Sequence, residues 1–111
     1  MLHIGTFLVS DVPALVLFDS GVIRSFVSLS FSRHISVRRE ALSRPLRFSI
    51  ADEHAVFATN VFWGCVIEIF GVEFPIDLVP IMMGDVLVIV GIDWLSRFGV
   101  VIDCRLQMVT I

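Results

Sequence analysis

Lysine is absent from this chain of 111 residues, and all eight basic residues are arginine. Charged residues make up only 17%, against roughly a quarter in an ordinary soluble domain. The net charge of −3 gives no reason to expect a nucleic-acid partner. Long apolar runs are missing too. The longest charge-free stretch, His54 to Ile67, falls short of the about 18–20 apolar residues a spanning helix needs, so no membrane partner is expected. No basic stretch precedes the first apolar residues, and a signal peptide is not expected. There are only two cysteines. Without a secretory signal, Cys65 and Cys104 read as buried free thiols in a reducing compartment, which makes an intracellular, cytoplasmic location the expectation. No glycine-rich phosphate loop and no low-complexity linker interrupt the chain. His3, His34 and His54 lack metal-ligand spacing with one another or with the cysteines, so neither a metal nor another cofactor is expected.

What the chain does have is apolar surface. Hydrophobic residues reach 57%, where about half is usual. One domain of this length, spanning 1–111, has trouble covering that much with polar atoms. Two readings follow: an obligate oligomer, whose interfaces resemble a core cut in half, or a fragment lacking its neighbours. Five of the arginines lie between Arg33 and Arg47, opposed only by Glu40. The simpler reading of that cluster is a solvated surface segment; a polyanion site is the other.

Along the chain, short apolar runs are punctuated every eight to twelve residues, which predicts an all-β fold. Gly5–Val9 reads as a strand, followed by a turn at Ser10-Asp11. Ala14–Phe18 suits a strand buried on both faces. Ser25–Ile35 is predicted as a short helix with Phe26, Leu29 and Arg33 on one face and Ser28, Ser30 and Ser32 turned outward. Arg38–Pro45 reads as a polar connector. Leu46–Ile50 and Ala55–Thr59 form a hairpin around Asp52-Glu53, and Cys65–Phe70 and Glu73–Val79 another around Gly71. Val86–Val90 is a second fully apolar strand. Asp93 is predicted to cap a helix from Trp94 to Phe98, closed by Gly99. Val100–Asp103 and Gln107–Ile111 then finish the sheet.

Asp19-Ser20-Gly21 is the group most suited to chemistry. A carboxylate at the end of a buried strand is costly unless its charge is stabilised. The Ser20 hydroxyl and the Gly21 N–H are both able to bond it, because glycine permits a tight turn. Taken alone, the tripeptide reads more simply as a strand-ending turn. It has one internal echo: Ile89-Val90-Gly91 is likewise an apolar strand leading into a glycine turn and a helix, but with no acid at the matching place.

The run Gly5–Val9, Ala14–Gly21 and Ser25–Ser28 resembles the start of a retropepsin-like aspartic protease, of the kind carried in the polyproteins of plant gypsy-type retrotransposons. Gly64–Ile69 with Phe74–Ile81 is similar to the middle strands of that family. Val88–Gly99 with Val101–Cys104 is similar to its second glycine-turn block. The resemblance runs through nearly the whole chain, in order. It implies a closed β-barrel with one or two short helices, and a subunit that contributes a single Asp-Ser/Thr-Gly turn. Two subunits then bring two such turns face to face, with Asp19 of each copy catalytic and Ser20 bonded across the dimer axis. It further implies that Asp52 and Glu53 lie at the tip of a flap hairpin over a peptide or polyprotein substrate.

The chain departs from that pattern beside the motif. Val22 and Ile23 stand where the family has Ala and Thr, Arg24 replaces a common His, and Glu53 takes the place of a Gly. These departures support a rival reading, a dimerisation module that keeps the fold without the activity. A third, an unrelated small β-barrel that binds a ligand, predicts a stable monomer.

Overall fold

The computed structural model describes residues 2–50, 54–82, 87–98, 101–103 and 108–110. Its strands are β1 (Leu2–Val9), β2 (Val12–Asp19), β3 (Phe26–Ser28), β4 (Arg39–Ile50), β5 (His54–Ile69), β6 (Val72–Ile81), β7 (Val88–Val90), β8 (Val101–Asp103) and β9 (Met108–Thr110), with helices α1 (Leu29–Ser32) and α2 (Ile92–Arg97). One sheet runs β1-β2-β7-β3-β6-β5-β4, and a further pairing of β1 with β5 closes its first six strands into a barrel. The all-β barrel with two short helices expected from the sequence is therefore present. Closure joins those six strands edge to edge and leaves β4 outside it as an open edge.

Period-2 side-chain alternation sends neighbouring residues into two separate cores. Val16, Phe18, Val27, Phe62, Ile67, Leu78, Val88 and Val90 belong to the larger. Val22, Phe26, Val61, Val79 and Ile89 form the smaller one on the opposite face, with Leu17 and Leu42 packed against it. This explains why Val88-Ile89-Val90 carries no polar residue: all three are buried. β2 is less extreme than its apolar run predicts. Ala14, Val16 and Phe18 are fully buried, whereas Leu15 and Leu17 are half-buried.

Both tight hairpins fall where turn chemistry puts them. Ser10 and Asp11 have φ of 47° and 68°, and Phe70 and Gly71 have 51° and 80°, the doubly positive form that matches strand twist. β4 and β5 pair up to Ile50 opposite His54. The turn that joins them, with Asp52 and Glu53, lies outside the described residues, as do Gly99 and Cys104.

Five expectations need correction. The helix over Ser25–Ile35 shrinks to the four residues of α1, because Phe26–Ser28 pairs as a strand between β6 and β7. Tertiary edges override weak helical propensity in a segment rich in serine and β-branched residues. Ser28 is buried rather than turned outward, and its Oγ caps α1 by accepting the Phe31 N–H at 3.1 Å. The connector Arg38–Pro45 is mostly strand, since β5 is long enough to carry β4 along it; the register shifts between Ala41 and Leu46. The cap of α2 is Gly91, with Asp93 inside the first turn. Last, β8 and β9 pair with each other in a separate two-stranded sheet and do not extend the barrel sheet.

Candidate active site

β2 and β7 are parallel neighbours, with Val16, Leu17 and Phe18 opposite Val88, Ile89 and Val90. The two glycine-turn blocks that echo one another in the sequence are thus side by side, and both strands end at the same level. β2 ends in Asp19. Asp19 as a residue is half-buried, and its carboxylate accepts the Gly21 N–H on Oδ1 at 2.8 Å. The turn is closed by the Val22 N–H, which donates to the Asp19 carbonyl at 3.3 Å. A Cβ on Gly21 would stand 3.2 Å from Asp19 Oδ1, close enough to disturb that contact. Ser20 is exposed, and its hydroxyl has no hydrogen-bond partner among the described residues.

The second turn braces the first. Gly91 is buried and packed so tightly that a Cβ there would overlap the Arg24 carbonyl and lie 2.7 Å from the Val22 oxygen. Only glycine fits. The Ile92 N–H donates to the Val22 carbonyl at 2.7 Å and the Asp93 N–H to the Ile23 carbonyl at 3.2 Å. Ser25, fully buried, joins the same contact: its Oγ accepts the Gly91 N–H at 3.0 Å and donates to Asp93 Oδ1 at 2.8 Å. Asp93 Oδ1 also accepts the Trp94 N–H at 2.8 Å.

Sequence reasoning missed the pairing of Ser25 with Asp93. The two are 68 residues apart, and a serine after an arginine carries no motif of its own. The substituted residues beside the motif are accommodated. Val22 is 5% exposed and sits in the smaller core, so its extra bulk over alanine fills space. Ile23 is 75% exposed and Ile92 42%, leaving apolar surface beside the Asp19 turn. A cavity of about 60 Å³ opens where this region meets β4 and β5, lined among others by Arg24, Leu42, Leu46, Trp63, Asp77 and Asp93. Asp77 is held there by the Gly64 N–H, which donates to its Oδ1 at 2.9 Å. Gly64 has φ of 70° and lies in the stretch where the β5–β6 register shifts, between Phe62 and Cys65.

A closed barrel that presents one Asp-Ser-Gly turn at the end of a strand defines the subunit class of the retropepsins. The chain belongs to the retroviral aspartyl protease family, whose model matches residues 1–111. Two solved structures resemble it at a TM-score of 0.70 each. One is the retroviral protease-like domain of Ddi1 from Leishmania major, 18% identical, with 100% of this chain and 88% of that chain covered. The other is the EIAV protease in complex with the inhibitor HBY-793, 17% identical, with 89% of each chain covered. At these identities the likeness concerns the fold. Comparison with curated proteins finds no match.

Proposed function

We propose that this chain is one subunit of a homodimeric aspartic endopeptidase, with Asp19 of each copy forming the catalytic pair. The observation that carries the reading is the Asp19 carboxylate itself. It stands at a strand end and is fixed by the Gly21 N–H. The matching position of its own second turn is Gly91, so one chain holds half of a carboxylate pair. The exposed Ser20 hydroxyl and the apolar Ile23 and Ile92 beside the turn are the surface a second copy would cover.

Two carboxylates brought within about 3 Å of each other cannot both ionise and so share one proton. The ionised member removes a proton from a bound water. The protonated member donates a hydrogen bond to the scissile carbonyl oxygen. The water oxygen then attacks the carbonyl carbon while that carboxyl gives its proton to the carbonyl oxygen, so a neutral tetrahedral diol forms. The diol collapses as the first carboxyl passes the proton taken from water to the leaving nitrogen and the second regains a proton from a diol hydroxyl. No covalent bond to the enzyme forms. Membership of the family supports peptide substrates, bound in extended form by backbone hydrogen bonds with pockets for alternate side chains. Leu42 and Leu46 in the cavity wall favour an apolar side chain near the cut. Processing of its own parent polyprotein, of a plant gypsy-type retrotransposon, inside the cell is the biological setting proposed here.

The test is cleavage of an unfolded protein between about pH 3 and 7, where a proton-sharing pair gives a bell-shaped profile. An Asp19→Asn copy runs beside it. A bell in the parent that vanishes in the variant is expected. Activity that survives Asp19→Asn sinks the mechanism. No cleavage by a folded, dimeric parent would leave the inactive dimerisation module as the reading, and a stable monomer in sedimentation would remove both.

A further inference from the structure

We propose that Ser25 is a positioning residue for Asp19: its buried hydroxyl fastens the second glycine turn onto the loop that aims the carboxylate. The inference rests on the reading of Asp19 given above. Ser25 lies six residues beyond Asp19, at the entry to β3, with no exposed surface. A buried hydroxyl is costly unless both its donor and its acceptor capacity are used. Here both go to the same short segment. Oγ accepts the Gly91 N–H at 3.0 Å and gives its own proton to Asp93 Oδ1 at 2.8 Å. The acceptor is a carboxylate, which makes this the stronger kind of hydrogen bond.

That bond closes a ring. Starting from Asp93, its N–H donates to the Ile23 carbonyl and the adjacent Ile92 N–H to the Val22 carbonyl. The Val22 N–H in turn holds the Asp19 carbonyl, and the Gly21 N–H holds the Asp19 carboxylate. Gly21 is therefore held to Asp19, Ile23 to the 91–93 segment, and Val22 to both. The Ser25 backbone adds an anchor of its own, because its carbonyl accepts the Val79 N–H of β6 at 3.0 Å. Ser25 is thus fixed to the barrel by its main chain and to the second turn by its side chain. Without the hydroxyl, the Gly91 N–H loses its partner and Asp93 Oδ1 keeps only the Trp94 N–H. Ser25 and Asp93 both line the cavity that Leu42 and Leu46 wall, but with no exposed surface Ser25 acts through the backbone of residues 21–23.

The experiment compares the parent with Ser25→Ala, Asp93→Ala and Asp93→Asn. The asparagine keeps an acceptor for the serine proton and for the Trp94 N–H. Steady-state cleavage, sedimentation and amide hydrogen exchange are read on each protein. Ser25→Ala and Asp93→Ala are expected to lower kcat by about tenfold or more with KM little changed, as loss of near-attack geometry does. Asp93→Asn is expected to recover most of that loss. Exchange at the Gly21 and Gly91 amides should quicken in both alanine variants while amides of β5 keep their protection. A folded, dimeric Ser25→Ala protein with parental kcat overturns the inference. If Ser25→Ala does not fold, Asp93→Ala against Asp93→Asn carries the same comparison from the half-buried side. If the parent itself does not cleave, the function reading fails, yet the exchange data still decide: an unchanged Gly21 amide in the variants overturns the positioning role, and a quickened one upholds it.

Discussion

Phe18 and Val90 sit opposite each other on parallel neighbouring strands, both without exposed surface. The residues that follow them are Asp19 and Gly91. A single register therefore sets the height of the carboxylate turn against the turn that braces it. Phe18 also anchors this level from below, through a T-shaped contact with Phe7 at 5.4 Å and a tilted one with Trp94 at 6.3 Å.

Truncating that anchor should be expensive. Phe18→Ala is expected to cost about 3–5 kcal/mol, the usual range for a fully buried aromatic. Urea unfolding followed by Trp fluorescence measures it. A loss below about 1 kcal/mol would mean the barrel does not depend on this packing.

The glycines separate into two kinds. Gly91→Ala is expected to destabilise by about 3 kcal/mol or more, because its Cβ would meet the Arg24 and Val22 backbone, which cannot step aside cheaply. Gly71→Ala meets nothing within 4 Å and keeps only the strain of φ at 80°, worth about 1 kcal/mol. Denaturant midpoints of the two variants give the ranking, and equal losses would contradict the close approach described for Gly91.

Burial raises the Cys65 thiol from its ordinary 9.0 to about 11, with the Ser10 hydroxyl working against the rise and the Asp77 charge with it. Between these values the unfolded chain has released the proton and the folded chain still holds it. The unfolded state then binds fewer protons, so stability is intact below pH 9 and falls as the pH climbs toward 11, by about 2–3 kcal/mol in all. The absence of lysine and tyrosine leaves few other groups titrating there. In a Cys104→Ser background, Cys65→Ala should flatten this alkaline loss. An identical slope with and without Cys65 would show that the thiol is not its source.

β4 is the open edge of the sheet. It carries exposed Arg39, Arg44 and Arg47, exposed Pro45 and a register break, which are the features that keep sheet edges from pairing with other chains. Replacing Arg44 and Pro45 together by valine is expected to raise aggregation, seen as light scattering on storage at unchanged denaturant midpoint. Unaltered scattering would leave the arginines without this role.

Local rules carried far along this chain. Apolar alternation and turn residues were enough to place the β1–β2 and β5–β6 hairpins, the β7 strand and the helix after Gly91, because each of these is set by neighbours a few residues apart. The echo between residues 15–21 and 88–91 was visible for the same reason. Phe26–Ser28 was misread, since nothing within the segment itself favours strand over helix; the open edges of β6 and β7 decide it. Likewise, nothing in the arginine-rich stretch announces β4, which exists because β5 continues beside it.

The site divides along the same line. The amino-acid sequence by itself determined that Asp19 ends an apolar strand in a Ser-Gly turn, since that depends on the chemistry of three adjacent residues. Only the tertiary structure decided what holds that turn in place. Ser25 and Asp93 meet across 68 residues, and Gly91 presses on the carbonyls of Val22 and Arg24. Contacts of that kind arise from strand register and barrel closure, which bring distant backbone together and leave no periodic mark on either partner.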